Sequence, residues 1–259
     1  MTTATAARPT TPRKPALERT LAMRLAATEY ERFTEQLRTL ASTDWEAKTA
    51  CPAWNVQAMV AHVIGMAEMS ASVPETIRQM RAARKVDGLF IDALTDLQMR
   101  KHVHRSPAEL VALSAKVGPK AARGRRRTPG FVRNRSMGQQ PVEGTGTVTE
   151  AWTMGFLTDV VLTRDTWMHR SDIAQAVGRD MTLTPDHDAV IVADIAAEWA
   201  QRHGQPCSLT LTGPAGGSWS WGSAQAATAT SYELDAVQFC RILAGRGSGE
   251  GLLATPVPF

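Results

Sequence analysis

No run of eighteen apolar residues occurs in the 259-residue chain, so the sequence offers no segment able to cross a bilayer as a helix. The first fifteen residues place Pro9, Pro12 and Pro15 among small polar residues and lack the apolar core of a secretory signal. They are expected to form a disordered tail, residues 1–15. Cysteine is scarce: Cys51, Cys207 and Cys240 are odd in number, far apart and without the CxxC or Cys–His spacing of zinc ribbons. That argues against a disulfide framework and for a reducing, cytoplasmic compartment. Internal repeats are missing, as are low-complexity segments beyond the tail. The net charge of +4 comes partly from two local basic runs, Arg8 to Lys14 and Arg123 to Arg127. The second surrounds Gly124, precedes Thr128-Pro129-Gly130 and has no interleaved aromatic residue on which a base could stack. It reads as a solvated loop, and neither nucleic acid nor a membrane is expected among the partners.

What is present is ordinary globular material, 43% hydrophobic and 21% charged. Leu17, Leu21, Leu25, Phe33, Leu37 and Leu40 recur at helical spacing and predict a first long helix. A second should start after Asn55, a plausible N-cap, with Trp54 stapled onto Met59, and continue past Met69 until Pro74 interrupts or kinks it. A third zone covers about 89–103, and Ser106-Pro107 can open another helix. Residues 118–147, rich in Gly, Pro and Arg, predict a long functional loop or lid. A last long helix is expected over 148–177, closed by Gly178. After it come a helix opened by Pro185, a hairpin of Ser208–Thr212 with Trp219–Trp221, a strand over 226–232 and a helix over 234–243. The expected fold is α+β: a four-helix bundle over 16–180 and a small α/β unit over 181–259.

The chemistry concentrates in Arg164-Asp-Thr-Trp-Met-His-Arg-Ser-Asp172. Asp165 and His169 are four apart, one turn of one helical face, where an imidazole and a carboxylate can chelate a divalent ion. His62, midway along the second helix among Met59, Met66 and Met69, is a candidate third ligand. Taken alone, a lone core histidine and a surface Asp–His hydrogen bond explain the same residues. Trp152 and Trp167 read as core; Arg164 and Arg170 as surface pairs; His102 and His104 as surface; His187 as part of a helix start.

Three segments carry a resemblance: Cys51-Pro-Ala-Trp-Asn-Val56 leading to Val60-Ala-His62, Arg164 to Ile173, and Asp235-Ala-Val-Gln-Phe-Cys-Arg-Ile-Leu-Ala-Gly-Arg246. The chain resembles the mycothiol-dependent maleylpyruvate isomerase family, within the wider group of DinB-like helical bundles. By that likeness His62, Asp165 and His169 are the metal ligands, with Asp165 at a position the family varies. A His2Asp set leaves coordination positions open, as catalytic sites do; zinc is the first expectation, and nickel, iron or manganese suit the same donors. The resemblance also implies mycothiol as a thiol cosubstrate, held as thiolate by the net positive site, and a small electrophilic substrate for an isomerase or transferase. Asp172 is a possible acceptor for the free ring nitrogen of His169, and Arg246, between Gly245 and Gly247, either clamps a substrate carboxylate or sits in a solvated turn. Two other functions stay open: a metal-dependent hydrolase or cyclase working without thiol, and a non-catalytic small-molecule binding protein. A monomer or a homodimer suits each of them.

Overall fold

The structure, a computed structural model, describes residues 11–141, 149–222 and 230–259. Helix α1 spans Arg19–Arg38, followed by a 3-10 turn at Ser42–Glu46. Helix α2 spans Val56–Ala71 and is capped as its sequence predicts, with the Asn55 side chain accepting from Ala58 N at 2.9 Å. Ser72 breaks the chain in an extended conformation, so Pro74 starts a new helix, α3 (Val73–Ala83), instead of kinking the old one. Helix α4 covers Phe90–His102.

Helix α5, Pro107–Arg127, corrects the expected loop. Ser106 and Glu109 form a reciprocal capping box, and the helix runs through Gly118 and Pro119 because Pro119 lies on the exposed face. Gly124 is needed there: a Cβ would lie 2.0 Å from the Ser70 carbonyl oxygen of α2. Arg125 therefore does not sit in a solvated loop; it is buried, donating to Thr158 O and Thr163 Oγ1, each at 2.6 Å. A short helix α6 (Gly130–Arg133) and strand β1 (Ser136–Pro141) follow, and the rest of the expected lid lies outside the described residues.

The last bundle helix starts later than expected. Thr149–Thr153 is strand β2, antiparallel to β1, and Thr153 caps the helical segment by accepting from Phe156 N. That segment is continuous: α7 (Met154–Phe156), a π-helical turn at Leu157–Val161, and α8 (Leu162–Ala176). Arg13, assigned by sequence to the tail, bridges in parallel to Trp152 and pairs with Glu150 at 2.8 Å. The bundle proper is α1, α2, α5 and α8, with α3 and α4 packed on α2. Its apolar core includes Phe33, Leu37, Met59, Ile64, Leu110 and Ile173.

Beyond Gly178 the chain forms α9 (Asp188–His203), with Pro185 in the turn before it, and a three-stranded sheet in the order β4-β3-β5. Strands β3 (Cys207–Thr212) and β4 (Gly217–Trp221) make the expected hairpin; β5 (Thr230–Asp235) runs parallel to β3, while the first half of its predicted range lies outside the described residues. Asp235 then caps α10 (Ala236–Leu243), and a 3-10 turn at Gly251–Ala254 precedes the end. The sheet and α9 enclose Trp199, Phe239, Leu209 and Phe259, and the same cluster takes in Leu25 of α1 and Trp167 and Met168 of α8. The observed class is α+β, largely helical, and α8 is shared between both cores.

Candidate metal centre

Helix α2 carries His62 at its middle, and the loop before it is pinned by two backbone hydrogen bonds, Thr49 N to Trp54 O and Val56 N to Ala47 O, which together make an antiparallel bridge between Lys48 and Asn55. This holds the Trp54 ring 5.1 Å from the His62 ring and 6.0 Å from that of His169, centroid to centroid. On α8, Asp165 and His169 face the same way, with Oδ1 and Nε2 3.5 Å apart. The two imidazoles meet nearly edge to face, 5.4 Å between centroids. One ligand atom from each of His62, Asp165 and His169 falls within 4.8 Å of the other two. The three residues predicted from sequence thus converge from two helices.

Three atoms of this group, His62 Nδ1, Asp165 Oδ2 and His169 Nδ1, are buried and accept or donate no hydrogen bond among the described residues. Each such atom costs about 1–3 kcal/mol, and native proteins rarely leave one, let alone three together. His169 Nδ1 lies 3.4 Å from Asp172 Oδ2, an ion-pair distance without hydrogen-bond alignment. Two imidazoles, one carboxylate and unmatched lone pairs in a small volume fit a divalent cation. Asp165 keeps 20% of its side chain exposed, so the cluster has an open side.

Burial pushes the His62 imidazole down to about 4, against the pull of Asp165 and with help from the neighbouring His169. Burial acts the same way on His169, yet Asp165 and then Asp172 overcome it and raise that ring to about 9. Asp165 is lowered in turn: burial opposes its ionisation, but the charges of His169, His62 and Arg246 prevail. Without an ion, the site therefore holds a proton on His169 where a cation would sit.

Around the ligands, Asp172 accepts from Arg241 Nη1 at 2.8 Å and from Arg246 Nε at 3.0 Å. Asp172 is held below the usual carboxylate range despite its burial, chiefly by His169 and Arg246. Arg246, the candidate for anion binding, thus stands beside the centre and is tied to it through Asp172. Gln98 of α4 lies against His62; Gly65 permits this, since a Cβ there would lie 2.6 Å from Gln98 Cβ. Gln98 and Arg241 were not singled out by sequence reasoning, and Trp54 was read only as a staple onto Met59. Trp54 and Arg241 do lie inside the recognisable segments; Gln98 carries no local signal.

Other sequence assignments need correction. Arg164 and Arg170 are buried, not surface: Arg164 pairs with Asp194 at 2.6 Å and Glu198 at 2.7 Å, and Arg170 with Glu29 at 3.0 Å. His102 is buried and bonded to Glu68. His187 does stand at the start of α9, but buried, with Nε2 2.7 Å from Glu29 Oε2. With Asp188 these form a second His–carboxylate cluster. There the carboxylate oxygens are taken by Arg170, Arg32, His187 and Trp167 Nε1. A cavity of about 420 Å³ between the end of α1 and the start of α5, lined by Leu37, Trp45 and Val111, contains none of the three candidate ligands.

Comparison with known proteins bears on the fold and the family. No curated protein matches the sequence. Two solved structures superpose, each with a TM-score of 0.53 over 90% of this chain and 91% of theirs: a mycothiol-dependent maleylpyruvate isomerase at 17% identity, and a histidine-to-alanine variant of a mycothiol-dependent maleylpyruvate isomerase at 16%. At that identity they speak for the fold. The family model for the mycothiol maleylpyruvate isomerase N-terminal domain matches residues 26–174, more than half of the sequence and every candidate ligand, and the chain belongs to that family.

Proposed function

We propose that this chain is a metal-dependent enzyme that uses a low-molecular-weight thiol, mycothiol by its family, to isomerise or transfer to a small electrophile. The observation that carries the reading is the convergence of one ligand atom from each of His62, Asp165 and His169, with His62 Nδ1 and Asp165 Oδ2 buried and unmatched. A bound divalent ion, zinc in the first instance, supplies a Lewis-acid centre at which a thiol is held as thiolate. The bundle, residues 16–180, contributes the ligands, and the unit over 181–259 contributes Arg241 and Arg246. Asp172 orients His169 through its Nδ1 side and is itself fixed by Arg241. Arg246 keeps a guanidinium next to the centre, suited to gripping a substrate carboxylate. The Trp54 ring covers the two imidazoles and limits the approach of water. The thiol implies a reducing, cytoplasmic setting.

Elemental analysis of the purified protein, followed by thiol-dependent consumption of maleylpyruvate or of a generic electrophile, tests the reading. One equivalent of metal and turnover only with thiol are expected. Metal with thiol-independent turnover would replace it with the hydrolase or cyclase reading, and no metal at all would leave a binding protein.

A further inference from the structure

Between Glu109 and Glu143 the sequence contains no acidic residue but eight cations. Two of these are used inside the fold: Arg125 is buried, and Arg133 pairs with Asp159. The other six, Lys116, Lys120, Arg123, Arg126, Arg127 and Arg135, are exposed and make no ion pair or side-chain hydrogen bond among the described residues. Because this stretch is helix α5 and not a loop, their spacing has a consequence. At about 100° per residue, positions 116, 120, 123 and 127 fall within about 60° of one another, a single ridge about 16 Å long. Helix capping does not account for the ridge, since Arg19 already donates to the carbonyls of Arg125, Arg126 and Thr128 at the end of α5. In the turn that follows, Phe131 is 75% exposed, the most exposed of the large apolar side chains, and stands on α6 beside Pro129 and Val132.

We propose that the α5 ridge and Phe131 form a docking surface for an anionic lipid bilayer, which the protein contacts peripherally. Aligned cations complement acidic headgroups, and an exposed aromatic ring in the turn that follows them is a side chain suited to the headgroup–acyl boundary. No described helix is long and apolar enough to cross a membrane, so the contact is a surface one. Nucleic acid is the weaker match, because a single aromatic at the end of the ridge is not an interleaved stacking platform.

The full-length protein is to be co-sedimented with phosphatidylcholine vesicles containing or lacking phosphatidylserine, at low and high salt. Binding only to phosphatidylserine vesicles, released by salt, is expected. Lys120→Glu/Arg123→Glu/Arg127→Glu should lower binding at least about tenfold, and Phe131→Ser about three- to tenfold. All four side chains are exposed, so circular dichroism melts and metal content should match the parent. Equal binding to neutral vesicles, no binding to acidic ones, or undiminished binding by the triple variant overturns the proposal. Retention on duplex DNA without vesicle binding overturns it as well and assigns the ridge to nucleic acid.

Discussion

Two buried clusters in this molecule bring the same kinds of group within reach of one point, two histidines and one carboxylate in the first and one histidine and two carboxylates in the second, and differ in how far the protein itself satisfies them. His62, Asp165 and His169 leave donor atoms unmatched, whereas the carboxylates of Glu29 and Asp188 meet guanidinium groups from Arg170 and Arg32. The second cluster is already neutralised by protein cations and joins α1, α8 and α9. A divalent ion there would face two arginines. Proximity of ligand-type residues is thus a poor sign of a metal site by itself; what the charges and lone pairs lack is the better one.

The largest effects should separate the clusters outright. His169→Ala removes a proposed ligand and should drop bound metal from about one equivalent to near zero with the fold intact, since His169 is no part of the bundle's apolar core. Full retention of metal in that variant would reassign the centre. Arg170→Met should do the reverse. Leaving Glu29 buried without its guanidinium costs about 3–5 kcal/mol, read as a lowered urea midpoint, while metal content stays at the parent value. Metal loss by the folded Arg170 variant would show that the two clusters act as one. Asp172→Asn probes the support of the first cluster alone: it keeps the shape but weakens the partner of His169 Nδ1, and metal affinity measured against a chelator should fall about 10- to 100-fold.

The shared face of Asp165 and His169 on α8 was readable because a helix turns four residues into one face, and the two sit at that spacing inside a strongly marked segment. His62 needed the resemblance, for no local pattern says that the middle of α2 faces α8. The bundle was legible from Leu and Phe spacing, but α5 was hidden by Gly118, Pro119 and Gly124. Local propensity reads these three as breakers, and the fold uses Gly124 for a close crossing and leaves Pro119 facing solvent. Arg125, Arg164 and Arg170 were misplaced for a related reason. An arginine is assigned to the surface until its partners are known, and here those partners lie as many as 141 residues away. The hairpin was legible from its alternation and its Gly-Pro turn, whereas the parallel pairing of β5 with β3 is a long-range choice that no local window records.

The subtlest test lies in the pH dependence of stability once metal is stripped with a chelator. His62 titrates at about 4 in the folded chain and near 6.5 when unfolded, so the unfolded state binds the extra proton between those values and stability rises with pH across that window. His169 titrates at about 9, so between about 6.5 and 9 the folded state holds the extra proton and stability falls as pH rises. The stripped protein should therefore be most stable near pH 6.5, with each limb, a displacement of about 2.5 pH units, amounting to about 3 kcal/mol. Adding metal should flatten the alkaline limb, because the ion replaces the His169 proton and leaves nothing to titrate there. A stripped protein whose stability is level from pH 6.5 to 9 would mean that Asp165 does not hold His169 charged, and that the proton and the ion do not compete for one place.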